Sequence, residues 1–390
     1  MDRVKTTRDF SAPFDTTSYH SRMKHVLDLY PLVASKVVPP VLVVAGPVWP
    51  STELVAALHG RAAAVGYVAD SAEPPAPAPD PDAPPMEAVC FQYDVYQGER
   101  LREKLAQESL TAEVLVSADV WDVPAKFNTV IFLSSVQADR ELKLDIIEQS
   151  YHVLRPGGRF VVLSEYERDS LFSKAIKKVF GKCSEAPRSE FGSAFWAVRE
   201  DEEVPRRRHK MTFHAKIGER PSMSFESWPG TFAYGELDSG SRAMLEVADV
   251  RPGDKVLDMG CGNGVVGCLV SPQCGAAGRV TFVDSSARAI KLAEMNATAN
   301  GVPDFKLVTS STMAELPVGE YDVVLANPPY FSNSEIGRHF IQTARDVLRP
   351  GGRFYFVTKM PVQTIPEIVE TFGTAESVEN RSYTVVIATA

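Results

Sequence analysis

One phrase occurs twice in this chain. VLRPGGRF begins at Val153 and again at Val347, without a single substitution. The match extends upstream without a gap, so that YDVVLANPPY (321–330) falls on FNTVIFLSSV (127–136) with aromatic, polar and apolar positions in step. Both copies read as strand, helix, Pro-Gly-Gly stop and turn, then strand. Further upstream, KVLDMGCGNGVVG (255–267) pairs with PVLVVAGPVWPST (40–52), and VTFVDSS (280–286) with VCFQYDV (89–95). Alternating strands and helices imply a parallel, doubly wound α/β sheet covered on both faces. The predicted fold is therefore two tandem Rossmann-like domains arising by duplication, residues 1–200 and 201–390. The boundary falls in WAVREDEEVPRRRHK (196–210), where apolar periodicity gives way to charge. KMTFHAKIGERPSMSFESWPGTF then reads as a β-hairpin leading into the second domain. The tract SAEPPAPAPDPDAPP (71–85) is too rich in Pro, Ala and acid to pack and reads as an extended surface loop.

A formal net charge of −9 argues against holding nucleic acid by bulk charge, though a local basic surface is compatible with it. The five cysteines contain no CxxC and no metal-ligand spacing, and read as buried thiols in a reducing cytosol. The sequence contains no apolar signal core and no run of about eighteen apolar residues. The expectation is a cytoplasmic monomer with no metal and no membrane partner.

The chemistry is concentrated in the second copy. VLDMGCGNG is an apolar strand carrying Asp258, followed by Gly260, Gly262, Asn263 and Gly264 before a helix start at VVGCLV. Glycines permit a sharp turn and close approach of a ligand, and the helix N-terminus beyond favours a carboxylate or phosphate. The next strand, RVTFVD, ends in Asp284, where a carboxylate can hold a ribose diol. The following helix is capped by Ser285 or Ser286 and closed by Asn300-Gly301. No Lys-Ser/Thr follows the glycines, which argues against a nucleoside triphosphate. An adenosine with an amino-acid tail fits: ribose on Asp284, tail on the glycine turn, ammonium near Asp258. That ligand is S-adenosyl-L-methionine.

Asn327-Pro328-Pro329-Tyr330 ends the fourth strand of this copy, at the crevice where open α/β sheets bind ligands. A planar exocyclic amine is a poor nucleophile because its lone pair is delocalised. Asn327 Oδ1 and the Pro328 carbonyl can accept its two N–H bonds, prolines fix that backbone beforehand, and Tyr330 offers a ring for stacking. In the first copy Leu133-Ser134-Ser135-Val136 replace this motif, and VVAGPVWPS lacks the spaced glycines. The first domain is expected to keep the fold without binding cofactor, and to hold substrate and stabilise the pair.

NPPY, VLDMGCGNG, FVD and the upstream WPGTFAYGELDSGSRAML (228–245) resemble the bacterial ribosomal RNA guanine-N2 methyltransferases of the RsmC/RlmG type. The resemblance covers about 205–390 and is architectural before that. It implies two class I S-adenosylmethionine-dependent methyltransferase domains, the N-terminal one degenerate. Gly230, Phe232, Leu237, Asp238 and Gly240 match the family's pattern upstream of the glycine turn, and that segment, with Phe232 and Asp238, would cover the cofactor. Ser311-Thr312 stand where an acid or amide often meets the adenine amino group. The family motif usually ends in Phe where this chain has Tyr330. NPPY is shared with adenine-N6 and protein glutamine-N5 methyltransferases, so these remain alternatives, as does a non-catalytic RNA-binding assembly factor. The implied partner is ribosomal RNA (16S or 23S) or a ribosomal subunit. Arg206, Arg207, Arg208 and Lys210, with Lys177 and Lys178 of SKAIKKVFGK, are the candidate RNA contacts.

Overall fold

The repeat is preserved in three dimensions down to its strand register. The computed structural model describes residues 25–60, 88–123, 127–134, 139–328 and 334–390. The Pro/Ala-rich tract, Ser135-Val136, Pro329 and Tyr330 lie outside the described residues. The first half contributes β1 (Val41–Val44), β2 (Ala88–Gln92), β3 (Glu113–Val116), β4 (Phe127–Ser134), β5 (Leu154–Ser164), β6 (Ser184–Glu185) and β7 (Ser193–Val198). A hairpin of β8 (Met211–Ala215) and β9 (Met223–Ser227) follows, as its alternating sequence predicts. The second half adds β10 (Lys255–Met259), β11 (Arg279–Asp284), β12 (Phe305–Thr309), β13 (Tyr321–Ala326), β14 (Leu348–Thr358), β15 (Glu376–Asn380) and β16 (Tyr383–Thr389).

Two seven-stranded sheets result, ordered β3-β2-β1-β4-β5-β7-β6 and β12-β11-β10-β13-β14-β16-β15. In each, the strand just outside the parallel set (β7, β16) runs antiparallel to its neighbour. Central strands such as Val41–Val44 are buried along their whole length, as a sheet covered on both faces requires. The helices that matter below are α1 (Val48–Leu58), α2 (Val95–Gln107), α3 (Arg140–Val153) and α4 (Ser170–Phe180) in the first half. The second half supplies α5 (Ser239–Val247), α6 (Val265–Cys274), α7 (Ala287–Ala299), α8 (Ser334–Val347) and α9 (Pro361–Phe372). Among the described residues no helix is long and apolar enough to cross a membrane. Four cysteines are buried, as read from the sequence, and Cys183 is half-buried.

The shared phrase behaves alike in both copies, though not quite as its Pro-Gly-Gly suggests. The helix ends at Val153 or Val347 and the strand begins at the next residue; Pro-Gly-Gly sits inside the strand's irregular start. The pairing slips at the same place in each, between Phe127 and Thr129 and between Tyr321 and Val323. Registers also correct one alignment. Val41 occupies the place of Val256 and Ala88 that of Val280, so Asp284 corresponds to Gln92, one residue before the Tyr93 expected from sequence. By the same register Val43 replaces Asp258 and Leu133 replaces Asn327. Gln92 turns its side-chain amide onto Gly46 O at 2.8 Å, and Leu133 packs against Gly46.

The two halves are pinned by a buried arginine. Arg288, at the start of α7, is 1% exposed and reaches into the first half. It donates to Ala118 O at 2.8 Å and Pro229 O at 2.7 Å, and pairs with Asp119 at 3.0 Å and Asp145 at 2.9 Å. Its guanidinium lies 4.2 Å from the Tyr93 ring centroid. Gln149 bridges the two aspartates, donating to Asp119 at 3.1 Å and Asp145 at 2.7 Å. Gly230 (φ +79) allows close approach at the same seam: a Cβ there would lie 3.1 Å from Leu142 of α3.

Candidate functional site

The carboxyl ends of β10, β11 and β13 converge on a crevice in the second half, where crossover chirality leaves loops on one side of the sheet. Its lining includes Phe232, Asp238, Ser241, Asp258, Gly260, Gly262, Asn263 and Asn327. Seven of these eight are candidates named from the sequence; Ser241 is not.

Glycine is required through the turn because Gly260, Gly262 and Gly264 take φ of 71°, 53° and 74°. A Cβ on Gly264 would also meet the Ala293 backbone at 2.9 Å, so this residue seats α6 on α7 and does not line the crevice. The turn is tied to the neighbouring strand. Gly260 N and Cys261 N both donate to Val283 O at 2.9 Å, and Gly262 N donates to Asp284 Oδ2 at 2.9 Å. Asp284 Oδ1 accepts from Ser286 N at 2.8 Å. Both carboxylate oxygens of Asp284 are thus oriented by backbone amides at the strand tip.

Asp258 is 3% exposed and its Oδ2 accepts from Gly267 N at 2.8 Å in the first turn of α6. Burial pushes its carboxyl up to about 7, against the opposing effect of the Gly267 N–H and with a further push from Asp284. Burial also raises the Asp284 carboxyl, again opposed by backbone N–H groups. Asn263 Oδ1 accepts from Val265 N at 3.3 Å, which orients the amide; its Nδ2 is buried with no hydrogen-bond partner. A buried orphan donor in a crevice is costly unless something fills it. Phe232 is 54% exposed, and its Cβ lies 3.7 Å from where a Gly262 Cβ would be, which sets it beside the turn.

Asn327 follows β13. Its Nδ2 donates to Asp238 Oδ2 and Ser241 Oγ, both at 2.8 Å. The same Asp238 oxygen accepts from Ser241 N at 2.8 Å and caps α5. A carboxylate oxygen only accepts, so the Asn327 nitrogen must face it and Oδ1 lies on the opposite side of the amide. Pro328 is buried behind it. Ser241 was legible in principle, as the residue three past the cap Asp238, but spacing alone does not say that its hydroxyl meets an amide 86 residues on.

Asp284, Ser285, Ser311 and Thr312 do not line the crevice itself; Asp284 touches it through Gly262 N. Ser285 Oγ donates to Asp94 at 2.5 Å and Ser311 Oγ to Glu99 at 2.7 Å, both in the first half. Thr312 is exposed.

The basic run is less solvated than its sequence suggests. Arg208 is ion-paired to Asp119, with its guanidinium 3.6 Å from the Trp228 ring centroid and 5.0 Å from that of Trp121. Lys210 pairs with Glu226 at 2.5 Å. Arg206 and Arg207 are exposed, as are Lys177 and Lys178 on the last turn of α4. His209, Arg207 and Lys178 all act on Glu148, whose carboxyl burial raises, so the two basic segments do converge in space. A larger cavity of about 870 Å³ lies between the halves, lined by Trp121, Arg206, Arg208, Lys210, Trp228 and acids including Asp122 and Glu294. It contains neither the glycine turn nor Asn327, and is not the centre of the candidate chemistry.

Strand order, glycine turn and strand-tip acid together define a class I methyltransferase fold. The methyltransferase small domain family matches residues 222–387. Ribosomal RNA small subunit methyltransferase C of Pseudomonas entomophila is 31% identical over 157 residues, 38% of this chain and 46% of that protein. Ribosomal RNA large subunit methyltransferase G of Aeromonas salmonicida is 28% identical over 43% of this chain and 46% of its own length. The chain thus spans about half the length of these relatives. The small subunit methyltransferase C of Pseudoalteromonas atlantica is 25% identical over 73% of this chain and 82% of its own. Among solved structures, the T. thermophilus 16S rRNA N2 G1207 methyltransferase (RsmC), in complex with AdoMet and guanosine, matches with TM-score 0.68 at 20% identity, covering 93% of this chain and 91% of that one. The second half of this chain is thus similar to methyltransferases of the RsmC/RlmG type.

Proposed function

We propose that the protein transfers a methyl group from S-adenosyl-L-methionine to the exocyclic N2 amine of a guanine in ribosomal RNA. The observation that carries this reading is the Asn327 amide, whose nitrogen is held by Asp238 and Ser241 in the crevice that the glycine turn also lines. The orphan Asn263 donor fits a ligand carboxylate, Asp258 fits an ammonium, and Asp284 fits a diol. When bound, the cofactor supplies a methyl group on a positively charged sulfur, a good leaving group. The chain itself acts on the other reactant. Asn327 Oδ1 and the Pro328 carbonyl accept the two amine hydrogens, which turns the nitrogen lone pair toward the donor and offsets the charge that develops on nitrogen. A guanine must leave its stack to reach this crevice. The names of the relatives support ribosomal RNA over a protein glutamine, and that of the solved T. thermophilus protein supports guanine over adenine.

The first half is read as an inert copy, residues 1–200, and the catalytic unit as 201–390. Val43, Gln92 and Leu133 stand where Asp258, Asp284 and Asn327 stand in the second, and Gly46 is packed by Leu133 and Ser51. Arg206, Arg207, Lys177 and Lys178 are exposed cations proposed to meet RNA phosphates, while Arg208 serves the seam through Asp119 and Lys210, itself exposed, pairs with Glu226 of the hairpin.

Calorimetry tests the cofactor reading. Wild type should bind S-adenosylmethionine, and Asp284→Ala should weaken binding by about tenfold or more, the effect of losing charge-assisted hydrogen bonds. Absence of heat from wild type would overturn the assignment. Asp258 gives a second check. Its carboxyl is largely protonated below about pH 7 and must ionise to meet an ammonium. Binding should release close to one proton at about pH 6, and take up a fraction of one at about pH 8, where the ligand's own α-amine (about 7.7–8.0 when free) must be protonated, so affinity rises with pH up to about 7.5 and then falls. The enthalpy at the lower pH should then vary with the ionisation heat of the buffer, and Asp258→Asn should abolish that variation. The same raised carboxyl makes the unliganded fold lose stability as pH rises from the ordinary carboxylate range through about 7. Ser241→Ala removes one bond that orients Asn327 and should lower kcat about fivefold, a single hydrogen bond of about 1 kcal/mol, with little change in KM; a change confined to KM would deny the orienting role.

A further inference from the structure

The tips of β11 and β12, beside Asp284 and joined to the glycine turn through Gly262 N, are held from the first half. Asp94 caps α2, its Oδ1 accepting from Gln97 N at 3.0 Å, while its Oδ2 accepts from Ser285 Oγ at 2.5 Å. Backbone bonds reinforce the contact: Val95 N donates to Ser285 O and Ala287 N to Tyr93 O, each at 2.9 Å. One turn along α2, Glu99 accepts from Ser311 Oγ at 2.7 Å. Ser286 N, inside this clamped segment, orients Asp284 Oδ1.

We infer that Asp94 and Glu99 of the first half are positioning residues for the cofactor's nucleoside end, acting through Ser285 and Ser311 on the backbone that aims Asp284. The inference rests on the proposed binding of S-adenosylmethionine in the crevice. It gives the inert copy a definite role, because its α2 closes the outer side of the adenosine subsite. Two carboxylates from a domain that binds no cofactor then set cofactor affinity in its neighbour. By linkage, bound cofactor strengthens the docking of α2 by the same factor.

The test uses the full chain carrying Asp94→Ser and Glu99→Ala together. Serine keeps a good helix cap but is too short to reach Ser285, and alanine suits the exposed middle of a helix. The expected result is a rise of about tenfold in both Kd and KM for S-adenosylmethionine, the effect of one charge-assisted hydrogen bond, with kcat at saturating cofactor within about twofold of wild type. Hydrogen exchange of the amides at 284–287 should quicken in the variant and be slowed less by cofactor. Unchanged Kd beside a wild type that binds would overturn this inference alone. So would loss of kcat at unchanged Kd, or loss of cooperative unfolding with no selective effect at 284–287. A wild type that fails to bind S-adenosylmethionine would overturn the cofactor reading and this inference with it.

Discussion

Asn327→Ala is expected to lower the rate of methyl transfer by about two to three orders of magnitude, the usual effect of deleting one preorganised polar group at a reacting centre. Cofactor affinity should change by less than about threefold, because the glycine turn, Asp258 and Asp284 are tied to one another and to α6 without help from Asn327. The nitrogen of Asn327 is held by Asp238 and Ser241, so the substitution also leaves Asp238 still capping α5 through Ser241 N at 2.8 Å. Single-turnover kinetics at saturating cofactor, with calorimetry on the same preparation, separates the two effects. Equal loss of rate and affinity would mean that Asn327 binds the cofactor and does not act on the amine. Asn327→Asp keeps the oxygen but places a second carboxylate against Asp238, and should recover little.

Arg288→Ala is expected to cost about 3–5 kcal/mol, because it leaves the Asp145 and Asp119 carboxylates buried without their shared cation. Arg208 still pairs with Asp119, so the larger share of the loss falls on Asp145, which is fully buried. Arg288→Lys keeps the charge but cannot reach four acceptors from a planar fork, and should recover only part. Denaturant unfolding of the full chain measures this, and a loss below about 1 kcal/mol would mean that the halves are held by their other contacts and not by Arg288. The seam lies four residues from Asp284, so the same variant should also bind cofactor less well.

The repeat made the fold readable. Its unbroken VLRPGGRF fixed the relation of the two copies, and both the strand order and the register slip repeat across it. Local geometry was readable where one segment contains the whole signal: the glycine turn, the place of Asp284 at a strand tip and that of Asn327 after β13. What was not legible shares a cause. Ser285, Ser311 and Arg208 were read by their neighbours in sequence, whereas their partners are Asp94, Glu99 and Asp119 in the other half of the chain. A hydroxyl beside a strand tip looks the same in one dimension whether it faces a ligand or a second domain. Arg288 gave no signal because an arginine on an amphipathic helix is ordinarily solvated, and only the docked first half buries it. The one-residue misalignment of Asp284 with Tyr93 arose where the copies have diverged too far for an aspartate to be matched by type.

The most direct test is transfer of labelled methyl groups from S-adenosylmethionine to ribosomal RNA and assembled subunits by the purified full chain, followed by nucleoside mass spectrometry. The expected result is label in N2-methylguanosine, absent with Asn327→Ala. Label in N6-methyladenosine or in a protein glutamine, or none despite measured cofactor binding, would contradict the account.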